Sequence, residues 1–186
     1  MNPTVLDNCL NSGVKLGKLY YWIATINQSQ PLLSNDEYKE IVVQSLQFLV
    51  GAGKIEIFAF VIVPDQVQII WKMIEMNGKE MPHASFLKFT AHLFQRKLRE
   101  ESEDGLESFK VSRKNKRYEF WERNSSAELL LNGMAVFTRL EILHLIPLDD
   151  PRCLVEDPCD YYYSSASYYG RGEKRFNFLK DLRVGF

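Results

Sequence analysis

The sequence predicts an α+β sandwich, with helices packed on a mainly antiparallel sheet. Three observations carry that expectation. Residues 66–73 alternate strictly, the apolar stretch 54–63 is joined to them by Pro64-Asp65, and a helical pattern stands on either side of the strand pair.

The elements follow in order. Residues 1–18 lack periodicity and read as a loosely held lead-in. Residues 19–26, Leu-Tyr-Tyr-Trp-Ile-Ala-Thr-Ile, are aromatic and β-branched and read as a strand. Ser34-Asn35-Asp36-Glu37 supplies a helix cap with acids in the first turn, so a helix is expected over 36–50, stopped by Gly51-Ala52-Gly53. Stretch 54–63 is apolar on both faces, as a strand central in its sheet would be.

After the turn, Gln66, Gln68, Ile70 and Lys72 point one way and Val67, Ile69, Trp71 and Met73 the other. The two glutamine side chains are then about 7 Å apart along the strand. A second helix is expected over 84–99. Its apolar arc holds Phe86, Leu87, Ala91, Leu93, Phe94 and Leu98, its polar arc Lys88, His92, Gln95, Arg96 and Arg99, and Phe89 lies where the arcs meet. The acidic stretch 100–107 ends it. The basic, aromatic stretch 110–121 reads as a further strand, and 134–145 as a helix broken by Pro147.

With 186 residues, 46% hydrophobic and 13% aromatic, the chain is expected to form one domain with a substantial core. Within it, 1–18 is the lead-in, 19–124 the core and 125–186 a C-terminal helical extension. No secretory leader or membrane-length apolar run is recognisable, and three unpaired cysteines (Cys9, Cys153, Cys159) without zinc-type spacing suit a reducing, cytoplasmic setting.

A net charge of −1 argues against indiscriminate polyanion binding, but the charge is segregated. Residues 110–123 carry six cations against two acids, 171–183 five against two, and 141–160 six acids against Arg152. Such clustering produces a basic patch or merely a solvated loop.

The stretch Val63-Pro64-Asp65-Gln66-Val67-Gln68-Ile69-Ile70 resembles the Met-Pro-Asn-His-Val-His-Leu-Ile strand of the HUH single-tyrosine transposases, in their REP-associated and IS200-like branch. Five further segments resemble that family in the same order. They are the first strand at 20–26, Phe86 to Ala91 on the expected tyrosine helix with its Lys88-Phe89-Thr90-Ala91, Arg117 to Asn124 with its Trp121-Glu122-Arg123, Leu140 to Pro147, and the tyrosines and double serine at 160–169.

The resemblance implies a ferredoxin-like core and a reaction in which a helix-borne tyrosine attacks a DNA phosphodiester. A divalent cation, magnesium or manganese, held by two histidines neutralises the developing charge. Here Gln66 and Gln68 stand for the histidines and Phe89 for the tyrosine, with His92 one turn on as a possible remnant ligand. Neutral amides are weak ligands and phenylalanine has no hydroxyl, so metal and cleavage are both expected to be lost. Gln66, Gln68 and Phe89 are expected to lie together, with the Phe89 helix on the glutamine face. The family's Asn-Asn-Pro is replaced by Leu145-Ile146-Pro147.

Binding of single-stranded or hairpin DNA can outlast cleavage. Lys88, Arg96, Arg99, Arg113, Lys114, Lys116, Arg117 and Arg123 are the candidate phosphate contacts, and Trp121, with Phe120 and Tyr118, the candidate stacking surface. The same aromatics suit a core strand. The chain is expected to act as a monomer or homodimer, and two other readings stay open: an active nuclease using Asp65, His83, His92 or a C-terminal tyrosine, and a protein-interaction scaffold without a nucleic-acid role.

Overall fold

In the computed structural model, which describes residues 9–10, 13–101, 103–113, 116–149 and 153–184, five strands form one antiparallel sheet. They are β1 (Cys9–Leu10), β2 (Leu19–Thr25), β3 (Ile55–Val63), β4 (Gln66–Met73) and β7 (Ser126–Leu129), ordered β1-β7-β2-β4-β3. A separate hairpin pairs β5 (Lys110–Arg113) with β6 (Lys116–Tyr118). The helices are α1 (Asp36–Gly51), α2 (Pro82–Glu101), α3 (Glu103–Glu107), α4 (Gly133–Asp149) and α5 (Ala166–Arg171). The α+β sandwich is as expected.

Local chemistry explains the boundaries. Asn35 caps α1 by accepting from the Glu37 amide, and Gly53, at φ +69°, turns the chain out of it into β3. Pro64 and Asp65 close the β3–β4 hairpin, whose register pairs Val63 with Gln66 and Val61 with Gln68. Pro147 does not break α4: the helix runs through it to Asp149, forgoing the bond that an N–H at 147 would give the carbonyl of residue 143.

Two expectations about layout need correction. β3 is not central; it is the last strand of the sheet. Both its faces are nonetheless buried, because the C-terminal segment covers its free edge. Ile62 N donates to Tyr163 O at 2.9 Å, Ser165 N to Phe60 O at 2.9 Å, Tyr169 Oη to Phe58 O at 2.8 Å and Lys180 N to Ile57 O at 2.8 Å. Capping an edge in this way satisfies backbone groups that would otherwise recruit another strand.

Nor do residues 125–186 merely extend the core. α4 and α5 supply the expected C-terminal helices, but β7 is inserted between β1 and β2, so the sheet is incomplete without it. The lead-in also contributes: Cys9–Leu10 pair with β7, while residues 1–8 and 11–12 lie outside the described residues.

The sheet separates two layers. On one face Trp22 and Trp71, both fully buried, pack at 4.8 Å between ring centroids and meet Phe86 of α2 at 6.0 and 6.4 Å. α1 lies beside α2, with Tyr38 against Phe94 at 5.8 Å. On the other face lies α4, whose Arg139 guanidinium covers the Tyr21 ring at 5.2 Å. Among the described residues no helix is long and apolar enough to cross a membrane.

Candidate nucleic-acid interface

Antiparallel registry aligns Glu128, Tyr21 and Ile70 in one row across β7, β2 and β4, and Ser126, Ile23 and Gln68 in the row two residues on. Alternation puts these side chains on the α4 face. There the Tyr21 hydroxyl donates to Gln68 Oε1, and Gln68 Nε2 donates to Gln66 Oε1 at 3.2 Å. Arg139, half-buried, adds an ion pair to Glu128 at 2.7 Å. Burial pushes the Tyr21 phenol up to about 12; the Arg139 charge opposes this and Glu128 adds to it.

These residues do not fit the divalent cation that the family resemblance implies. Both amide oxygens already accept hydrogen bonds, from Tyr21 and from Gln68 itself, and the positive charge on this face is a guanidinium with its own carboxylate. Among the described residues no three His, Cys, Asp or Glu side chains are gathered as a metal ion requires. Asp65 stands in the turn before β4, not among them.

The expected meeting of Phe89 with the glutamines does not occur. α2 buries Pro82, His83, Phe86, Thr90, Phe94 and Leu98, the arc that faces the sheet. Phe86 meets Trp22 and Trp71, and His83 Nδ1 lies 3.4 Å from Met73 Sδ. Met73 and Trp71 belong to the strand face opposite Gln66 and Gln68. The physical reason is the asymmetry of β4: Val67, Ile69, Trp71 and Met73 offer the larger apolar surface, and the amphipathic α2 takes it. Phe89 is therefore not placed to stand for a nucleophile beside the glutamines. It is 53% exposed on the far side of the molecule. His92 is exposed there too, and His83 is buried, which lowers its pKa.

The helix over the glutamine face is α4, which turns Val136, Leu140, Leu143 and Pro147 inward and carries no tyrosine. His144 is held at 2.8 Å from Ser165 Oγ, and burial depresses its pKa to about 4. Two of the C-terminal tyrosines are tied into the fold, Tyr161 donating to Ile62 O at 2.8 Å and Tyr163 to Glu40 at 2.9 Å, while Tyr162 is exposed.

The basic candidates gather elsewhere. Lys88, His92, Arg96 and Arg99 run along the outward side of α2 at helical spacing. Beside them a groove of about 620 Å³ opens between α2 and residues 117–123, lined by Lys88, His92, Gln95, Arg117, Tyr118 and Arg123 among others. Lys88 is paired with Glu80 at 2.9 Å and Arg123 with Glu119 at 3.3 Å. Arg117 lies over the Tyr118 ring at 5.3 Å, and among the described residues neither it nor Arg96 nor Arg99 makes an ion pair. Lys114 lies outside the described residues, as do the side chains of Arg113 and Lys116.

Trp121 is not a stacking surface. It is buried, donates from Nε1 to Thr90 Oγ1 at 2.9 Å, and packs on Phe86 and Phe94 at 6.1 and 5.7 Å. Phe120 is likewise enclosed, stacked on Phe109 at 4.7 Å. These rings fasten the 117–123 segment to α2; all three aromatics line the groove, but Phe120 and Trp121 only as its nearly buried floor, while Tyr118 is partly exposed.

No family model and no curated protein matches the chain. A solved structure does: the REP-associated tyrosine transposase bound to a REP hairpin, with a TM-score of 0.58 over 98% of this chain and 93% of that one. The fold is that of a tyrosine transposase. Identity is 14%, so the likeness is one of architecture, with few side chains in common.

Sequence reasoning missed Tyr21, Glu128 and Arg139. Tyr21 could have been found, since its alternation within residues 19–26 puts it on one face with Ile23. Glu128 carried no local signal, because β7 is four residues long and joins the sheet through long-range pairing. Arg139 of α4 carried none either, because its partners Tyr21 and Glu128 lie on other elements.

Proposed function

We propose that this protein is a transposase-like DNA-binding protein that holds single-stranded or hairpin DNA and does not cut it. The groove between α2 and residues 117–123 supports the binding half of this reading. It brings together Arg117, Lys88 and Arg123, with Arg96 and Arg99 exposed on the neighbouring outward side of α2, in a chain whose net charge is near zero. The Lys88–Glu80 pair is exposed on both sides and such pairs contribute little, so Lys88 can exchange its carboxylate for a phosphate at small cost. Arg123 stays tied to the buried Glu119 and can meet a phosphate only with its remaining N–H groups. The hairpin-bound transposase of the same fold makes DNA the natural ligand.

The non-cutting half rests on the glutamine face and no longer on Phe89. A phosphodiester there would meet amides bonded to each other, a phenol with a raised pKa that is committed to Gln68, and a helix without a tyrosine. Neither a metal-activated phosphate nor an attacking oxyanion is provided for.

The experiment is a titration of hairpin, single-stranded and duplex DNA at low and high salt, paired with denaturing electrophoresis of labelled strands with and without manganese. Hairpin or single-stranded binding that weakens steeply with salt, with no nicked or protein-linked strand, is the expected result. A covalently captured strand would establish an active nuclease. Absence of binding at low salt favours the second reading, an interaction domain, for which α4 offers outward Met134 (82% exposed), Phe137 and Leu145.

A further inference from the structure

A second cavity, of about 370 Å³, lies between α1 and α2. Its floor includes Leu49 and Phe86, and its mouth carries two phenylalanines: Phe48 of α1, 65% exposed, and Phe89, 53% exposed. Aromatic rings this open to water forfeit most of the stabilisation that their burial would bring. Asn77, Ser85 and Glu80 supply the polar wall. Asn77 Nδ2 donates to Ser85 Oγ at 3.1 Å, and Ser85 Oγ to Pro82 O at 3.0 Å.

Lys88 and His92 line this cavity and also the basic groove, so the two spaces meet at those side chains. An apolar slot opening beside cations is a poor match for a purely apolar protein side chain, which gains nothing from the charge. A nucleotide uses both parts, the planar base in the slot and its phosphate at Lys88. The volume falls within the usual range for small-ligand sites, roughly 300–1,000 Å³.

We infer that the α1–α2 cavity receives one unpaired nucleobase of the bound DNA strand, stacked on Phe89 and Phe48 with its edge toward Asn77, its phosphate held at Lys88 and His92. This deepens the DNA-binding reading and rests on it. The site lies on the face of the sheet opposite Gln66 and Gln68, so it selects strands with an unpaired base without presenting them to any cleavage chemistry. The Lys88–Glu80 pair at the mouth is exposed and readily opened by an incoming phosphate.

The test uses the full chain and two hairpin probes, one blunt and one with a short single-stranded extension carrying a fluorescent purine analogue at each position in turn. The extended probe should bind more tightly, and the analogue should be quenched at one position. Phe89→Ala and Phe48→Ala each remove an exposed ring, so thermal stability should be unchanged. Each should lose the quench and weaken the extended probe about tenfold while sparing the blunt one. Equal binding of both probes by the parent protein, or a quench that survives Phe89→Ala, overturns the cavity assignment and leaves the DNA-binding reading intact. Failure of both probes to bind at low salt overturns the two together.

Discussion

Tyr21 donates its hydroxyl hydrogen to Gln68 Oε1 from β2 to β4, and in doing so occupies the acceptor that a ligand on this face would need. Both side chains are buried. Removing the phenol should therefore leave an unsatisfied buried carbonyl. Tyr21→Phe is expected to cost about 1–3 kcal/mol in urea unfolding. Adding Gln68→Leu should restore much of that loss, because the orphaned acceptor goes with it. If the double variant is less stable by the sum of the two single effects, the coupling assigned here is wrong.

The same geometry sets the metal expectation. Calorimetry with manganese should show no binding in the parent protein, and Gln66→His with Gln68→His should restore at most weak binding, since Tyr21 and the Arg139–Glu128 pair stay in place. Adding Phe89→Tyr should not create a DNA-linking enzyme, because that hydroxyl would stand on the opposite side of the sheet. Strand capture by the triple variant would contradict this placement of α2.

How much of this was legible beforehand differs between elements. The β3–β4 hairpin, the Asn35 cap and the amphipathic α2 are local, and periodicity and turn residues announced them. Which face of the sheet α2 covers is not local. It depends on the pairing of β4 with β2, which sets Trp22 beside Trp71 and makes that side the apolar one. The alternation of β4 already placed Trp71 and Met73 opposite the glutamines, so the preference of an apolar helix arc for that side was open to argument; the family resemblance argued the other way. Burial of β3 misled for a different reason, since its cover comes from residues more than a hundred positions later.

Two tryptophans packed on one another should respond differently to the same substitution. Trp22 Nε1 donates to Ser125 Oγ at 3.0 Å, whereas Trp71 Nε1 is buried with no hydrogen-bond partner among the described residues. Trp22→Phe loses a hydrogen bond as well as volume, while Trp71→Phe removes an N–H that was already unsatisfied. Trp22→Phe should be the more costly by about 1–2 kcal/mol in chemical denaturation. Equal losses would mean that both indoles are satisfied alike.

Acid should unfold the protein partly through His144. Its burial lowers the folded pKa to about 4 from the ordinary 6.5, so protons bind the unfolded chain preferentially between those values. The stabilisation is complete above about pH 6.5 and falls away as pH drops toward 4, by roughly 3 kcal/mol in all. His83 is shifted in the same direction by its burial and adds to the slope. Replacing His144 with Gln should flatten the stability profile between pH 6.5 and 4. An unchanged slope would show that the imidazole is solvated.

DNA binding and fold integrity should separate cleanly along α2 and residues 117–123. Arg96, Arg99 and Arg117 are exposed and make no ion pair among the described residues. Reversing all three to Glu should leave the melting temperature nearly unchanged, weaken hairpin and single-stranded DNA alike, and flatten the dependence of log affinity on log salt by about one unit per lost phosphate contact. Trp121→Ala should behave in the opposite way. Its indole fills the space between Phe86 and Phe94 and bonds to Thr90, so truncation should cost about 3–5 kcal/mol of stability, and any loss of DNA affinity should track the unfolded fraction. A Trp121→Ala protein that melts normally yet selectively loses unpaired DNA would return this ring to the binding surface.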